Sequence, residues 1–162
     1  MLTIDFPDDV LLEIFDFYVV RYQDLDSIEI VSSDQISWQS LVHVCRRWRD
    51  VVFASPRRLN LQLCCTTRTP ARATLDVWPA LPLLIQGDVS ESSVNNVIAT
   101  LEHSDRIHQI NLDFDTTLQV EKLWTAIQVP FPELAVLRLS FVGLSIGPVL
   151  PDLFLGGSGV HG

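Results

Sequence analysis

The chain has 162 residues, 48% of them hydrophobic, with 20 acidic against 11 basic side chains and a formal net charge of −9. That apolar content suits a real packed core, the acidic balance argues against general affinity for nucleic acid, and no run of 18 apolar residues is present to cross a membrane. Three cysteines, Cys45, Cys64 and Cys65, make no disulfide framework, and no cationic segment precedes an apolar one near the acidic start. A reducing compartment, cytoplasmic or nuclear, is therefore expected.

The first predicted element is a helix from about Pro7 to Tyr22. Pro7 suits the first helical position, and Asp8 and Asp9 lie against the positive end of the helix dipole. Val10, Leu11, Ile14, Phe15 and Tyr18 follow at helical spacing, while Leu12, Phe17, Val19 and Val20 carry the apolar character onto a second side. Only Asp9, Glu13 and Asp16 keep a narrow polar strip. A helix apolar around most of its circumference is buried on two sides. Its own core can claim one, which leaves a face around Leu11 and Phe15 for a partner. The acid- and serine-rich stretch "QDLDSIEIVSSDQIS" reads as a loop or weak helix.

A second helix is predicted over "LVHVCRRWRDVVF", with Leu41, Val44, Cys45, Trp48 and Val51/Val52 on one stripe. Ser55-Pro56 ends it. Seven of the eleven basic residues, Arg46, Arg47, Arg49, Arg57, Arg58, Arg68 and Arg72, fall within this region and just after it. They form either a solvated face or a docking surface for an acidic partner. "RLNLQL" alternates like a short strand, and "CCTTRTPARAT" is turn-rich, a loop or a boundary between modules.

The remainder repeats itself. An apolar-x-x-apolar-x-apolar strand pattern fits Ala80, Leu83 and Ile85, then Ile107, Ile110 and Leu112, then Leu134, Leu137 and Leu139, each set 27 positions after the last. Helical quartets lie between them: Val94, Val97, Ile98 and Leu101; Val120, Leu123, Trp124 and Ile127; and a distorted Ile146, Val149, Leu150 and Leu153. Ser90 and Thr116 or Thr117 are the expected N-caps. One strand and one helix per unit of this length is the signature of a leucine-rich-repeat solenoid with parallel strands. The usual asparagine ladder is absent, so the units are degenerate. A further strand would start near position 161, and no polar cap is readable, so the array reads as truncated.

"FPDDVLLEIFDFYV" followed by "LVHVCRRWRDVVFASPRRL" resembles the F-box, a small helical module of ubiquitin-ligase substrate receptors. Phe6-Pro7 stands for the usual Leu-Pro pair, Ile14-Phe15 for the helix pair, and Val44-Cys45-Arg46-Arg47-Trp48 matches the Val-Cys-x-x-Trp element. The spacing from Pro7 to Cys45 is longer than usual, through an insertion over residues 22–38. With "WPALPL" and "NVIATLEHSDRIHQINL" behind it, the layout resembles fungal F-box proteins with leucine-rich repeats. The resemblance implies an α/β protein with a helical F-box over residues 1–60 and an incomplete repeat region over 61–162. It implies docking onto the Skp-type adaptor of a cullin–RING ligase through Phe6, Pro7, Val10, Leu11, Ile14, Phe15, Tyr18, Leu41, Val44, Cys45 and Trp48. The repeats would hold a target protein, and the chain itself would do no covalent chemistry.

No competing chemistry assembles from the sequence. His43, His103, His108 and His161 show no metal-ligand spacing, Cys64 and Cys65 are adjacent, and no phosphate-binding or nucleophile motif is present. No catalytic, metal or cofactor residue is therefore expected. Cys45 reads as a small apolar group beside Trp48, and Asp113 and Asp115 as a polar rim, an interaction point or a solvated loop start. The alternative to a ligase receptor is a ubiquitin-independent repeat scaffold whose first helices act as an N-terminal cap.

Overall fold

In a computed structural model, residues 6–19, 38–68, 70–141 and 154–157 are described. The chain divides into two compact units, Met1–Leu61 and Gln62–Gly162.

Among its described residues the first unit carries three helices, α1 (Asp8–Tyr18), α2 (Trp38–Val42) and α3 (Arg46–Ala54). α1 begins after Pro7, whose carbonyl accepts the Val10 and Leu11 amides. It stops at Tyr18, four residues short of the sequence expectation, because Val19 turns extended. The stretch from 23 to 37 lies outside the described residues.

The second predicted helix is two. After Val42 the chain makes tight turns at His43 and Val44, and Cys45 is extended at φ −158°, ψ 169°, serving as the N-cap of α3. A continuous helix would put Leu41, Val44, Cys45 and Trp48 on one stripe. The break instead brings Trp38, Leu41 and Val42 of α2 and Val51 and Val52 of α3 inward together, leaving Val44 and Cys45 outside. The Val42 carbonyl left open at the break accepts from Arg49 Nε at 3.1 Å. Phe15 meets the Trp48 ring edge-on with centroids 4.8 Å apart, and Trp38 meets Phe53 at 6.0 Å.

The second unit is mixed α/β with a four-stranded parallel sheet in the order β1-β2-β3-β4: β1 (Leu63–Thr66), β2 (Leu83–Val89), β3 (Ile107–Phe114) and β4 (Val136–Phe141). Helices α4 (Ala71–Leu75), α5 (Val94–Leu101) and α6 (Thr117–Ala126) make the crossovers. Parallel neighbours require such connections. "CCTTRTPARAT" is thus a strand and a helix rather than a loop, and "RLNLQL" becomes strand only from Leu63. Before it lies a turn with Asn60 at φ +47°, the left-handed region that asparagine tolerates better than most residues.

The core face of the sheet is built in rungs. Cys65, Ile85, Ile110 and Leu137 line up in register, as do Gly87, Leu112 and Leu139, then Val89, Phe114 and Phe141. The Phe114 and Phe141 rings stack at 5.5 Å. Val94, Val97 and Leu101 of α5, and Val120, Leu123, Trp124 and Ile127 on and just after α6, are buried. The quartets read from sequence are the helices' inward stripes. The third quartet lies outside the described residues.

Two details of the repeat differ from expectation. Ala80 and Leu134 lie outside the strands, and β2 pairs with β3 as Ile85↔Ile110, not Leu83↔Ile110. The shift is two residues, which leaves every side chain on its original face. A bulge at Leu83/Leu84, where Leu83 pairs with Ile107 and Leu84 with Gln109, absorbs the irregularity. β3 and β4 keep the expected 27-residue step, Ile110↔Leu137 and Leu112↔Leu139. The α5 N-cap is Ser93, not Ser90; Ser90 instead accepts the Ser93 and Val94 amides through its carbonyl. Thr116 stands at the α6 N-cap position as expected, without a capping hydrogen bond from its side chain.

Candidate functional site

In the first unit, helical periodicity sorts α1 into three strips. Leu11, Leu12 and Phe15 form the inward one, with Leu11 3% and Phe15 0% exposed. Asp9, Glu13 and Asp16 form a polar edge. Val10, Ile14 and Phe17, spaced four and three apart, lie on the remaining side with Tyr18 beside them. There Val10 is 40%, Phe17 86% and Tyr18 48% exposed, and Ile14 is half-buried. Phe6, just ahead of the helix, is exposed as well.

The set of apolar residues expected to face a partner is therefore corrected. Leu11, Phe15 and Leu41 are core side chains with no surface to offer. The face expected around Leu11 and Phe15 is covered by the protein itself. Phe6, Pro7, Val10, Tyr18, Val44 and Cys45 are exposed, and Ile14 and Trp48 are half-buried. Phe17, the most exposed large apolar residue of the helix, was missing from the expected set, although its spacing from Val10 and Ile14 marks it.

The arginine cluster turns inward onto the same helix. Arg47 Nη2 reaches Asp8 Oδ1 at 3.0 Å and also donates to the Phe6 carbonyl. Arg58 donates to Glu13 and stands 4.0 Å from Asp9. Arg46 lies 3.9 Å from Asp50, one helical turn on. Much of the basic character thus pairs with acids of its own unit, which weakens the reading of an anion-docking surface. These exposed pairs orient side chains more than they stabilise the fold.

In the second unit, the strand residues that alternate with the core rungs form the sheet's other face. Thr66, Gln86, Asn111 and Arg138 make one row across the four strands, and Asp88, Asp113 and Ser140 make the next. All are exposed or half-buried. Asn96 of α5 ties the first two crossovers together: its Oδ1 accepts the Ala71 amide at 2.8 Å and its Nδ2 donates to the Thr67 carbonyl at 3.2 Å. Beside it an open polar cavity of about 450 Å³ is lined by Thr67, Arg68, Asp88, Ser90, Ser92 and Asn96, among others.

The cysteines are free thiols, with Cys45 exposed and Cys65 buried. Burial pushes the Cys64 thiol up. Burial first and the Cys64 neighbour second push Cys65 from 9.0 to about 11, against an opposing pull from Arg106. Such thiols are poor nucleophiles at neutral pH. Among the described residues no group of three or more His, Cys, Asp and Glu could hold a metal ion, and no helix is long and apolar enough to cross a membrane. His161 lies outside the described residues.

The chain matches no protein-family model, no curated protein and no solved structure.

Proposed function

We propose that the protein is the substrate-receptor subunit of a cullin–RING ubiquitin ligase, with the helical unit docking a Skp-type adaptor and the sheet unit holding a target protein. One observation carries this reading: α1 has a second apolar strip beside its core side, with Val10, Phe17 and Tyr18 exposed and Ile14 half-buried. Fully burying each such side chain is worth about 1.5–3 kcal/mol, so a partner that covers them gains substantially. The short helices, with Phe6-Pro7 just ahead of α1, Ile14-Phe15 on it, and Val44-Cys45 at the break that leads into Trp48 of α3, support the same reading. The chain then performs no covalent step. It raises the effective concentration of target near the ligase, in the cytoplasm or nucleus.

The test is reconstitution of the purified chain with a purified Skp-type adaptor. A complex on size exclusion is expected, lost on joint Val10→Glu and Phe17→Glu substitution while the circular dichroism spectrum is unchanged. Absence of any complex with the unaltered chain overturns the proposal. Charged substitution of Phe15 would not discriminate, because that ring is fully buried and its loss unfolds the unit under any reading.

The burial of Leu11, Phe15 and Leu41 favours a second reading, a ubiquitin-independent repeat scaffold in which the helical unit serves as a cap. It predicts that the Val10/Phe17 double variant keeps every binding activity of the chain.

A further inference from the structure

The open cavity beside Asn96, of about 450 Å³, lies where β1 and β2 end: Thr67 follows β1 directly, and Asp88 and Ser90 flank the last residue of β2. The carboxyl ends of parallel strands are where open α/β sheets gather ligands. The volume falls within the about 300–1,000 Å³ typical of small-ligand sites.

Thr67 is only 6% exposed. Its amide donates to the Gln86 carbonyl and its own carbonyl accepts from Asn96 Nδ2, so its backbone is held on both sides. Its hydroxyl, by contrast, has no hydrogen-bond partner among the described residues, yet it is not sealed from solvent. On so buried a residue, the opening that reaches this hydroxyl is the cavity it lines. Gly87 keeps the space beside it clear, since a Cβ there would lie 3.1 Å from Thr67 Oγ1. A polar group buried without a partner destabilises the fold, and a ligand that bonds to it relieves that. Arg68 and Asp88 also line the cavity, and neither has an ion pair among the described residues. Their charges cancel across the wall. Ser90 and Ser92, joined Oγ to Oγ at 2.9 Å, add two more hydroxyls.

We propose that this cavity binds a free, neutral, polyhydroxylated molecule, a polyol or small saccharide. An anion would meet Asp88 and the −9 charge of the chain, and a cation would meet Arg68. An apolar ligand would strand every one of these polar groups. A ligand hydroxyl both donates and accepts. Two adjacent ones donate to the Asp88 carboxylate while a third accepts from the Arg68 guanidinium, and Thr67 gains the partner that the fold does not give it. The site belongs to the second unit alone and does not depend on the receptor reading.

The experiment is saturation-transfer NMR on the full chain with sorbitol and methyl α-glucoside as probes, and glycine and inorganic phosphate as competitors. Transfer to sorbitol or the glucoside is expected, with neither competitor displacing it at equal concentration. Thr67→Val keeps the side chain's shape and removes only its hydroxyl. It is expected to weaken binding about fivefold while the urea midpoint holds or rises. Asp88→Ala, at an exposed position, is expected to weaken it by about tenfold or more. Asp105→Ala, on the exposed α5–β3 turn, is expected to leave it within about twofold. Absence of transfer to both probes overturns the proposal, as does binding that survives Thr67→Val and Asp88→Ala alike. Displacement by glycine or phosphate overturns it too, and assigns the cavity to a charged ligand. If Thr67→Val does not fold, the contrast between Asp88→Ala and Asp105→Ala decides.

Discussion

Arg106 donates twice to one carbonyl: its Nε and Nη2 reach the Leu81 oxygen at 3.1 and 2.9 Å, and Nη2 also reaches the Pro79 oxygen at 3.2 Å. The Arg106 carbonyl in turn accepts the Leu83 amide at 2.8 Å. A residue at the entry of β3 thereby fixes the entry of β2, in a segment where Pro79 and Pro82 cannot donate amides of their own. Arg106→Ala is expected to destabilise the protein by about 1–3 kcal/mol, since the buried Leu81 residue loses its carbonyl's partner. Arg106→Lys recovers only part of this, because an ammonium lacks the forked geometry. Urea titration of the three proteins checks the order.

Phe15 and Phe17 stand two positions apart on one helix and should behave oppositely. Phe15→Ala opens a cavity beside Trp48 and is expected to cost about 3–5 kcal/mol. Phe17→Ala, at an exposed site, is expected to stay within about 0.5 kcal/mol. Thermal melts monitored by circular dichroism decide it. A Phe17 variant that melts like the Phe15 variant would mean that the outward face is packed after all.

Gly87 sits on the core side of β2 at φ +125°, where L side chains are strained, and an added Cβ would lie 3.1 Å from Thr67 Oγ1. Gly87→Ala is expected to destabilise by about 1–3 kcal/mol and to disturb the β1–β2 edge first. Hydrogen exchange at Cys65 and Thr67, whose amides lie in and beside that ladder, should accelerate more than exchange in β4.

These elements also show what a sequence pattern can and cannot carry. The inward rungs Ile85, Ile110 and Leu137 and the α5 and α6 stripes were legible because burial imposes a period on the chain. The β2–β3 register was not, because a slip of two residues leaves the in–out alternation intact and only the turn through Arg106 selects between them. β1 was placed too early, over "RLNLQL", because its four residues, "LCCT", are too few for alternation to register against a turn-rich flank. On α1 the two apolar sides were visible, but their assignment depends on which side α2 and α3 approach. That is a long-range matter, and Leu11 and Phe15 went to the wrong side. The break at Cys45 was hidden for a related reason: "VHVCRRW" keeps helical spacing straight through it, and the interruption follows from how Leu41, Val42, Val51 and Val52 share one interior.

The thiols give a pH dependence with a definite sign. Cys65 ionises at about 11 in the folded protein and near 9.0 when unfolded, and Cys64 is displaced in the same direction. Below about pH 9 both states hold these protons and the contribution to stability is constant and fully present. Between about 9 and 11 the unfolded chain has released the Cys65 proton while the folded one retains it. The folded state then binds more protons, and stability falls as pH rises. The melting temperature is therefore expected to decline across that interval beyond what the other alkaline groups cause. The difference is isolated by comparison with Cys65→Ala, whose melting temperature should start lower, from the lost packing, but fall less steeply with pH. Parallel curves for the two proteins would show that the Cys65 thiol titrates alike in both states.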